Sequence, residues 1–181
     1  MAKKKEDKTN VMRVLEQKGI SYTAHTYPED GPIDGVSVAN YLGQDVEQVF
    51  KTLVTKAASG AYYVFDIPVA ESLDLKKAAK AVGEKSIAMI QQKELLPLTG
   101  YIHGGCSPVG MKKQFPTVFH ETVILFDTIC VSAGKIGAQV EVNPAELMEL
   151  IGAADRYNTH SGKWFKRRRN RLVAGRKLYL Q

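Results

Sequence analysis

Gly104-Gly105-Cys106-Ser107-Pro108-Val109-Gly110 packs three glycines, a proline and a serine into seven residues, directly after the β-prone Tyr101-Ile102-His103. Glycine permits backbone angles that side chains exclude, and it lets another molecule approach the main chain. Successive N–H groups in such a loop can converge on one anionic oxygen. The plain alternative is a turn between two strands. The loop is not a nucleotide-binding P-loop: Gly105 and Gly110 have the outer spacing, but Met111 stands where a lysine should follow. Pro108 also removes a backbone donor from its middle. No G-x-G-x-x-G follows a strand, so the dinucleotide fingerprint is absent. A nest for a smaller anion or a carbonyl oxygen remains.

Working outward, Val11, Met12, Val14 and Leu15 have helical spacing, with Gly19 as a stop. Residues 20–27 are β-prone, and 28–35 form a loop rich in turn residues. Ser37 is placed to cap a short helix that Gly43 ends after Leu42. Strands are expected over 49–55 and 62–68, joined at Ser59-Gly60. Asp74 caps the clearest helix, in which Leu75, Ala78, Ala79 and Val82 share a face and Gly83 closes the end. A short strand is expected over 86–90, then a helix from Gln92 broken at Pro97. Strand pieces follow over 117–119 and 123–126, a strong strand over 128–132 and a last one over 139–142. Pro144 suits the first turn of a closing helix that reaches Ile151. Strands outnumber helices, and several neighbours lie only a turn apart. The pattern predicts a mixed α/β domain, α+β-like, with a largely antiparallel sheet and flanking helices.

A length of 181 residues favours one domain, and a hydrophobic fraction of 44% can supply a core at that size. No segment has the apolar length needed to cross a bilayer, and the basic residues 1–8 precede no hydrophobic stretch, so no secretory signal is expected. Two cysteines, Cys106 and Cys130, make no disulfide framework and no zinc site. The histidines at 25, 103, 120 and 160 are scattered, so spacing assembles no metal site and no cofactor is called for. A reducing cytoplasm is the natural setting.

The net charge of +6 is unevenly spread. Residues 156–181 hold nine basic residues and no acidic one, leaving sixteen of the 25 basic residues against all 19 acidic ones in 1–155. The division reads as a domain over 1–155 and a basic tail over 156–181. Lys166, Arg167, Arg168 and Arg169 follow Trp164-Phe165, a pattern that can hold phosphates and stack on unpaired bases. A solvated tail is the plain alternative.

Lys51 is the other unusual position. On strand geometry it projects beside Val49, Leu53 and Thr55, while Phe50, Thr52 and Val54 face the other way. A lysine in an apolar strand is costly to bury without a partner. It is either an edge lysine that blocks strand-to-strand aggregation or an ammonium held in a pocket, donating to a carbonyl, phosphate or ribose oxygen.

Several pieces recur together: His25-Thr26-Tyr27, Phe50-Lys51-Thr52-Leu53, Leu75-Lys76-Lys77-Ala78-Ala79-Lys80, Thr99-Gly100-Tyr101, the Gly104-x-x-x-Pro108 spacing, Val131-Ser132-Ala133-Gly134-Lys135 and Val140-Glu141. In this order the set resembles the YbaK/EbsC family of Cys-tRNA(Pro) deacylases, relatives of the editing domain of bacterial prolyl-tRNA synthetases. The resemblance runs from about Val11 to Ile151.

That resemblance implies a hydrolase that removes cysteine from the 3′-terminal ribose of tRNA(Pro), with prolyl-tRNA synthetase as a partner. Editing is useful because apolar pockets discriminate weakly between ligands of similar size. It implies no dedicated protein nucleophile: the substrate's own thiol attacks its carbonyl, giving a cyclic thioester and free tRNA, while the protein supplies position and electrostatics. By motif position, Lys51 would anchor the terminal adenosine or aminoacyl end. Backbone N–H groups around Gly104 and Gly105 would hold the oxyanion. Tyr27, Thr52 and Ser132 would line the pocket, with Ser107, Pro108 and Gly134 in the substrate-binding segments. Cys106, Ala133, Ile136 and Gln139 depart from the family pattern, and Cys106 is expected to be a small apolar filler. Two other readings remain open: a binding module that kept the fold without the chemistry, and a deacylase for another mischarged pair.

Overall fold

The computed structural model describes residues 7–153, so the basic tail and its predicted phosphate contacts lie outside the described residues. Helix α1 (Asn10–Gln17) starts where the Thr9 hydroxyl accepts the Met12 N–H at 3.3 Å, and it buries Val11, Met12 and Leu15. Strand β1 (Tyr22–Thr26) follows, then α2 (Gly35–Leu42). The cap of α2 is Asp34 rather than the expected Ser37: the Asp34 carboxylate accepts the Ser37 N–H at 2.9 Å. An ionised acceptor three residues upstream satisfies that orphan donor, which moves the helix start forward.

Strands β2 (Phe50–Ala57) and β3 (Tyr62–Pro68) form an antiparallel hairpin, and α3 (Leu75–Val82) is capped by Asp74 and closed by Gly83 as predicted. Strand β4 (Ile87–Met89) precedes α4 (Gln92–Thr99), in which Pro97 does not end the helix. Reciprocal capping between Gln91 and Glu94 ties its start, and the Thr99 hydroxyl donating to the Leu95 carbonyl at 2.7 Å ties its end. A proline inside two turns anchored at both ends removes one hydrogen bond without unwinding the rest. The β-prone Tyr101-Ile102-His103 forms no strand; residues 100–116 carry no helix or strand. Tyr101 is instead pinned by its hydroxyl, which donates to the Val109 carbonyl across the glycine loop.

After β5 (Thr117–Phe119), the predicted strand piece at 123–126 is a 3-10 helix, Glu121–Leu125. The His120 ring accepts the Thr122 N–H at 3.3 Å and turns the chain before an extended run can pair. Strands β6 (Ile129–Ser132) and β7 (Ala138–Val142) and helix α5 (Pro144–Leu150) complete the order.

The strands make two sheets, β1-β7-β6 and β4-β2-β3-β5, antiparallel except for the β3–β5 pair. The sheets touch at a parallel bridge between Val49 and Cys130, where the Cys130 N–H donates to the Gln48 carbonyl at 3.0 Å. Leu15, Val64, Phe119, Ile129, Val131 and Val140 pack into the principal core. Each such fully buried side chain contributes roughly 1.5–3 kcal/mol. Among the described residues no helix is long and apolar enough to cross a membrane. The observed architecture is the mixed, largely antiparallel α/β arrangement that the pattern of elements predicts.

Candidate active site

One edge of β2 is taken by β3. The other edge meets β6 at Val49 and β4 only from Thr55 onward. Between those points residues 50–53 have no strand on that side among the described residues. A cavity of about 360 Å³ occupies the gap. It is lined by Lys51 and Thr52 of β2, Tyr27 beyond β1, Ile33 to Val36 at the start of α2, Gly104 and Cys106 of the glycine loop, Ser132 of β6 and Gln139 of β7. Lys51 and Thr52 point to opposite faces of their strand. Both border one cavity because it wraps around the strand's open edge.

Five residues singled out from sequence therefore meet: Tyr27, Lys51, Thr52, Gly104 and Ser132. Four do not line the cavity. Gly105 donates its N–H to the Ile102 carbonyl at 3.0 Å, so that donor is engaged within the turn. A Cβ there would sit 3.0 Å from Lys135 Cα, which makes Gly105 a close-packing position against the 133–137 turn. Ser107 is buried and its hydroxyl accepts the Val109 N–H at 3.3 Å, and Pro108 is buried beside it. Gly134 has φ +93°, and a Cβ would come within 2.9 Å of the Tyr101 ring. Its N–H donates to the Ser132 hydroxyl at 3.1 Å, which fixes where that cavity-lining oxygen sits. These four shape the loop and the turn that hold the wall.

The electrostatics are uneven. Partial burial lowers the Lys51 pKa, and the Glu71 carboxylate opposes that shift. Behind Thr52 lies Asp66, its cross-strand neighbour on β3 and fully buried. The Thr52 hydroxyl donates to Asp66 Oδ1 at 2.6 Å, and Asp66 Oδ2 has no partner among the described residues. Burial pushes the Asp66 carboxyl up to about 7, against the opposing pull of the Thr52 hydrogen bond. Burial likewise pushes the Cys106 thiol up to about 12; the Asp66 charge adds to the rise and a hydrogen bond with Thr99 opposes it. A thiol held protonated to that degree is a poor nucleophile.

Sequence reading missed Asp66 and the α2 residues as part of this region, and marked Gln139 only as a departure from the family pattern. Asp66 carried a usable signal: it is the one charged side chain in the apolar run over 62–68, as Lys51 is conspicuous in its own strand. Gln139, 6% exposed, accepts from Gln44 Nε2 at 2.8 Å through its amide oxygen.

Two other features lie outside this cavity's chemistry. His25, Cys130 and Glu141 bring ligand-type atoms within 4.8 Å of one another. Glu141 is already engaged through both oxygens, with His25 at 2.7 Å and Thr128 at 2.6 Å, and burial pushes the Cys130 thiol up to about 12. This donor set is satisfied as a hydrogen-bonded network and fits a metal poorly. A smaller cavity of about 200 Å³ lies between β3, α3 and His120, and is lined by none of the candidate catalytic or substrate-binding residues named from the sequence.

The profile of the aminoacyl-tRNA editing domain matches residues 34–150. A protein of Enterococcus faecalis, provisionally named Cys-tRNA(Pro)/Cys-tRNA(Cys) deacylase EbsC, is 45% identical over 152 residues, which span 83% of this chain and 93% of that protein. A solved structure described as a proposed trans-editing enzyme for prolyl-tRNA synthetase is similar at 28% identity and TM-score 0.72, covering 82% of this chain and 92% of that one. Another solved protein, at 23% identity and TM-score 0.72, shares the fold. With the editing-domain profile matching residues 34–150, which carry the gapped β2 edge, the glycine loop and the β6 serine that border the cavity, the chain belongs to the aminoacyl-tRNA editing domain family.

Proposed function

We propose that this protein is an aminoacyl-tRNA deacylase that removes cysteine from Cys-tRNA(Pro), acting in trans to a prolyl-tRNA synthetase. The observation that carries the reading is the meeting of Lys51, Thr52, Gly104 and Ser132 around one cavity that offers no activated nucleophile. At about 360 Å³ the cavity is in the lower range of small-ligand pockets. That suits a small aminoacyl group with part of its ribose, the rest of the tRNA lying outside.

In this reading Lys51 anchors the terminal nucleotide or the ester carbonyl through its ammonium. The Gly104 backbone faces the carbonyl oxygen as charge develops on it, supplying fixed dipoles in a partly desolvated site. The Thr52 and Ser132 hydroxyls orient the aminoacyl group. The cysteine thiol attacks its own ester carbonyl, the C–O3′ bond breaks, and the tRNA leaves with a free 3′-hydroxyl. Holding thiol and carbonyl in reacting geometry is the chief service of such a pocket. The basic stretch 156–181 is proposed to add phosphate affinity without sequence preference.

The test is single-turnover deacylation of Cys-tRNA(Pro), Ala-tRNA(Pro) and Ser-tRNA(Pro) by the intact protein and by Lys51→Ala. The expected outcome is rapid loss of cysteine, slow loss of alanine and serine, and collapse of the cysteine rate in the variant. Equal rates on all three substrates would overturn the thiol-assisted chemistry. No hydrolysis with tRNA binding intact would leave a binding module. Hydrolysis of Cys-tRNA(Cys) at the same rate would widen the substrate to cysteinyl esters in general.

A further inference from the structure

We propose that Asp66 acts through Thr52 as a proton relay for the editing cavity, taking up the proton of the substrate thiol and returning it to the departing ribose oxygen. This rests on the cavity being a site for cysteinyl esters. The supporting geometry is independent of that reading. Thr52 borders the cavity, and its hydroxyl hydrogen points away from it, toward Asp66 Oδ1 at 2.6 Å. Its oxygen is thereby free to accept from whatever occupies the cavity. Asp66 is wholly buried, and its second oxygen has no partner among the described residues. A buried carboxylate oxygen without a partner is uncommon in a native protein, and a proton taken up there would relieve it.

The surroundings of Asp66 favour proton uptake. On the facing loop the Cys106 thiol is the titratable neighbour that feels it electrostatically. From α4, Thr99 contributes a neutral hydroxyl already donated to the Leu95 carbonyl. On β2, Lys51 projects from the opposite face of the strand. Beside β5, His120 gives its backbone N–H to the Asp66 carbonyl at 2.8 Å, while its ring is engaged with Thr122. Among the described residues no cation therefore neutralises the carboxylate. It titrates at about 7, against about 8.5 for an ordinary thiol. A thiol-to-carboxylate transfer is then uphill by fewer than about two powers of ten, whereas a serine hydroxyl is far too weak an acid to take part.

The step balances. The substrate S–H proton passes to Thr52 Oγ1 as the Thr52 hydroxyl proton passes to Asp66 Oδ1. The sulfur forms its bond to the ester carbon. As the C–O3′ bond breaks, the proton returns through Thr52 to O3′. Asp66 and Thr52 end as they began.

The experiment follows single-turnover cleavage of Cys-tRNA(Pro) between pH 5.5 and 9 by the intact protein, Asp66→Asn, Thr52→Val, Thr52→Ser and the double variant Asp66→Asn/Thr52→Val, with circular dichroism confirming the fold of each. Asparagine keeps an acceptor for Thr52 but cannot take a proton. The expected result is a rate that rises through about pH 7 in the intact protein and a limb lost in Asp66→Asn. The loss in rate is expected to be on the order of 10²-fold. Thr52→Val should match it, Thr52→Ser should retain most activity, and the double variant should be no worse than either single one. Activity in Asp66→Asn within a few-fold of intact protein, with the pH limb unchanged, overturns the relay and leaves the deacylase reading standing. Equal losses in Thr52→Ser and Thr52→Val overturn it too. An intact protein that cleaves no cysteinyl ester overturns both readings together.

Discussion

Replacing Asp66 by asparagine should stabilise the fold at alkaline pH and do so progressively less as the pH falls. The folded-state pKa of about 7 lies above the ordinary 3.8, so the folded protein holds this proton more tightly than the unfolded chain. Stability from this group is therefore full below pH 3.8 and declines as the pH rises toward 7, after which the loss is constant. At about 1.4 kcal/mol per pH unit, the ionised carboxylate costs the fold on the order of 4 kcal/mol by pH 8. Asparagine keeps the shape and the acceptor for Thr52 but carries no charge, so it lacks that slope. Any unsatisfied N–H it introduces is a constant offset. Between pH 5 and pH 8 the stability difference between variant and intact protein should grow by about 3 kcal/mol. With urea slopes of about 1–3 kcal/mol/M, the two unfolding midpoints should separate by roughly a further 1–3 M over that range. Paired urea titrations at four pH values make the measurement. Midpoint curves that run parallel from pH 5 to pH 8 would refute the reasoning, because they would mean that Asp66 is ionised in the fold at ordinary acidity.

Three further outcomes are expected. Gly134→Ala places a side chain at φ +93° and 2.9 Å from the Tyr101 ring, so chemical denaturation should show a loss of about 2–4 kcal/mol; a loss under about 0.5 kcal/mol would contradict the packing described. Cys106→Ala should keep cysteinyl-tRNA cleavage within a few-fold, and the thiol, pushed up to about 12, should resist iodoacetamide at pH 7.5 in the folded protein; rapid alkylation would mean an activated sulfur. Removing residues 156–181 should weaken tRNA binding and flatten its dependence on salt concentration, measured by filter binding from about 50 to 200 mM salt; an unchanged slope would assign the tail no part in binding.

Most elements were legible in the residues because their causes are local. Asp74 and Gly83 bracket α3, Pro144 opens α5, and the apolar run over 62–68 and the β-prone residues 139–142 match β3 and β7. The misreadings at Ser37, Pro97, 101–103 and 123–126 share one cause. A short segment with acceptable propensity was overruled by a specific hydrogen bond: Asp34 to Ser37, Thr99 to Leu95, Tyr101 to Val109, His120 to Thr122.

The candidate site divides in the same way. The residues themselves were enough to single out Lys51 and the glycine loop, since each departs from what a strand or turn ordinarily carries, and the family resemblance added Thr52 and the 131–135 turn. It was not enough to separate the residues that face the cavity from those that hold its walls. Gly105, Ser107 and Gly134 stand within a few positions of Gly104 and Ser132, yet they serve packing, because the turn at 133–137 folds back onto the loop from the other sheet. Nor could it assign Asp66 its properties. A carboxylate's proton affinity depends on the water and charge around it, and here burial removes the water while Thr52 supplies the one opposing hydrogen bond, an environment that only the assembled fold provides.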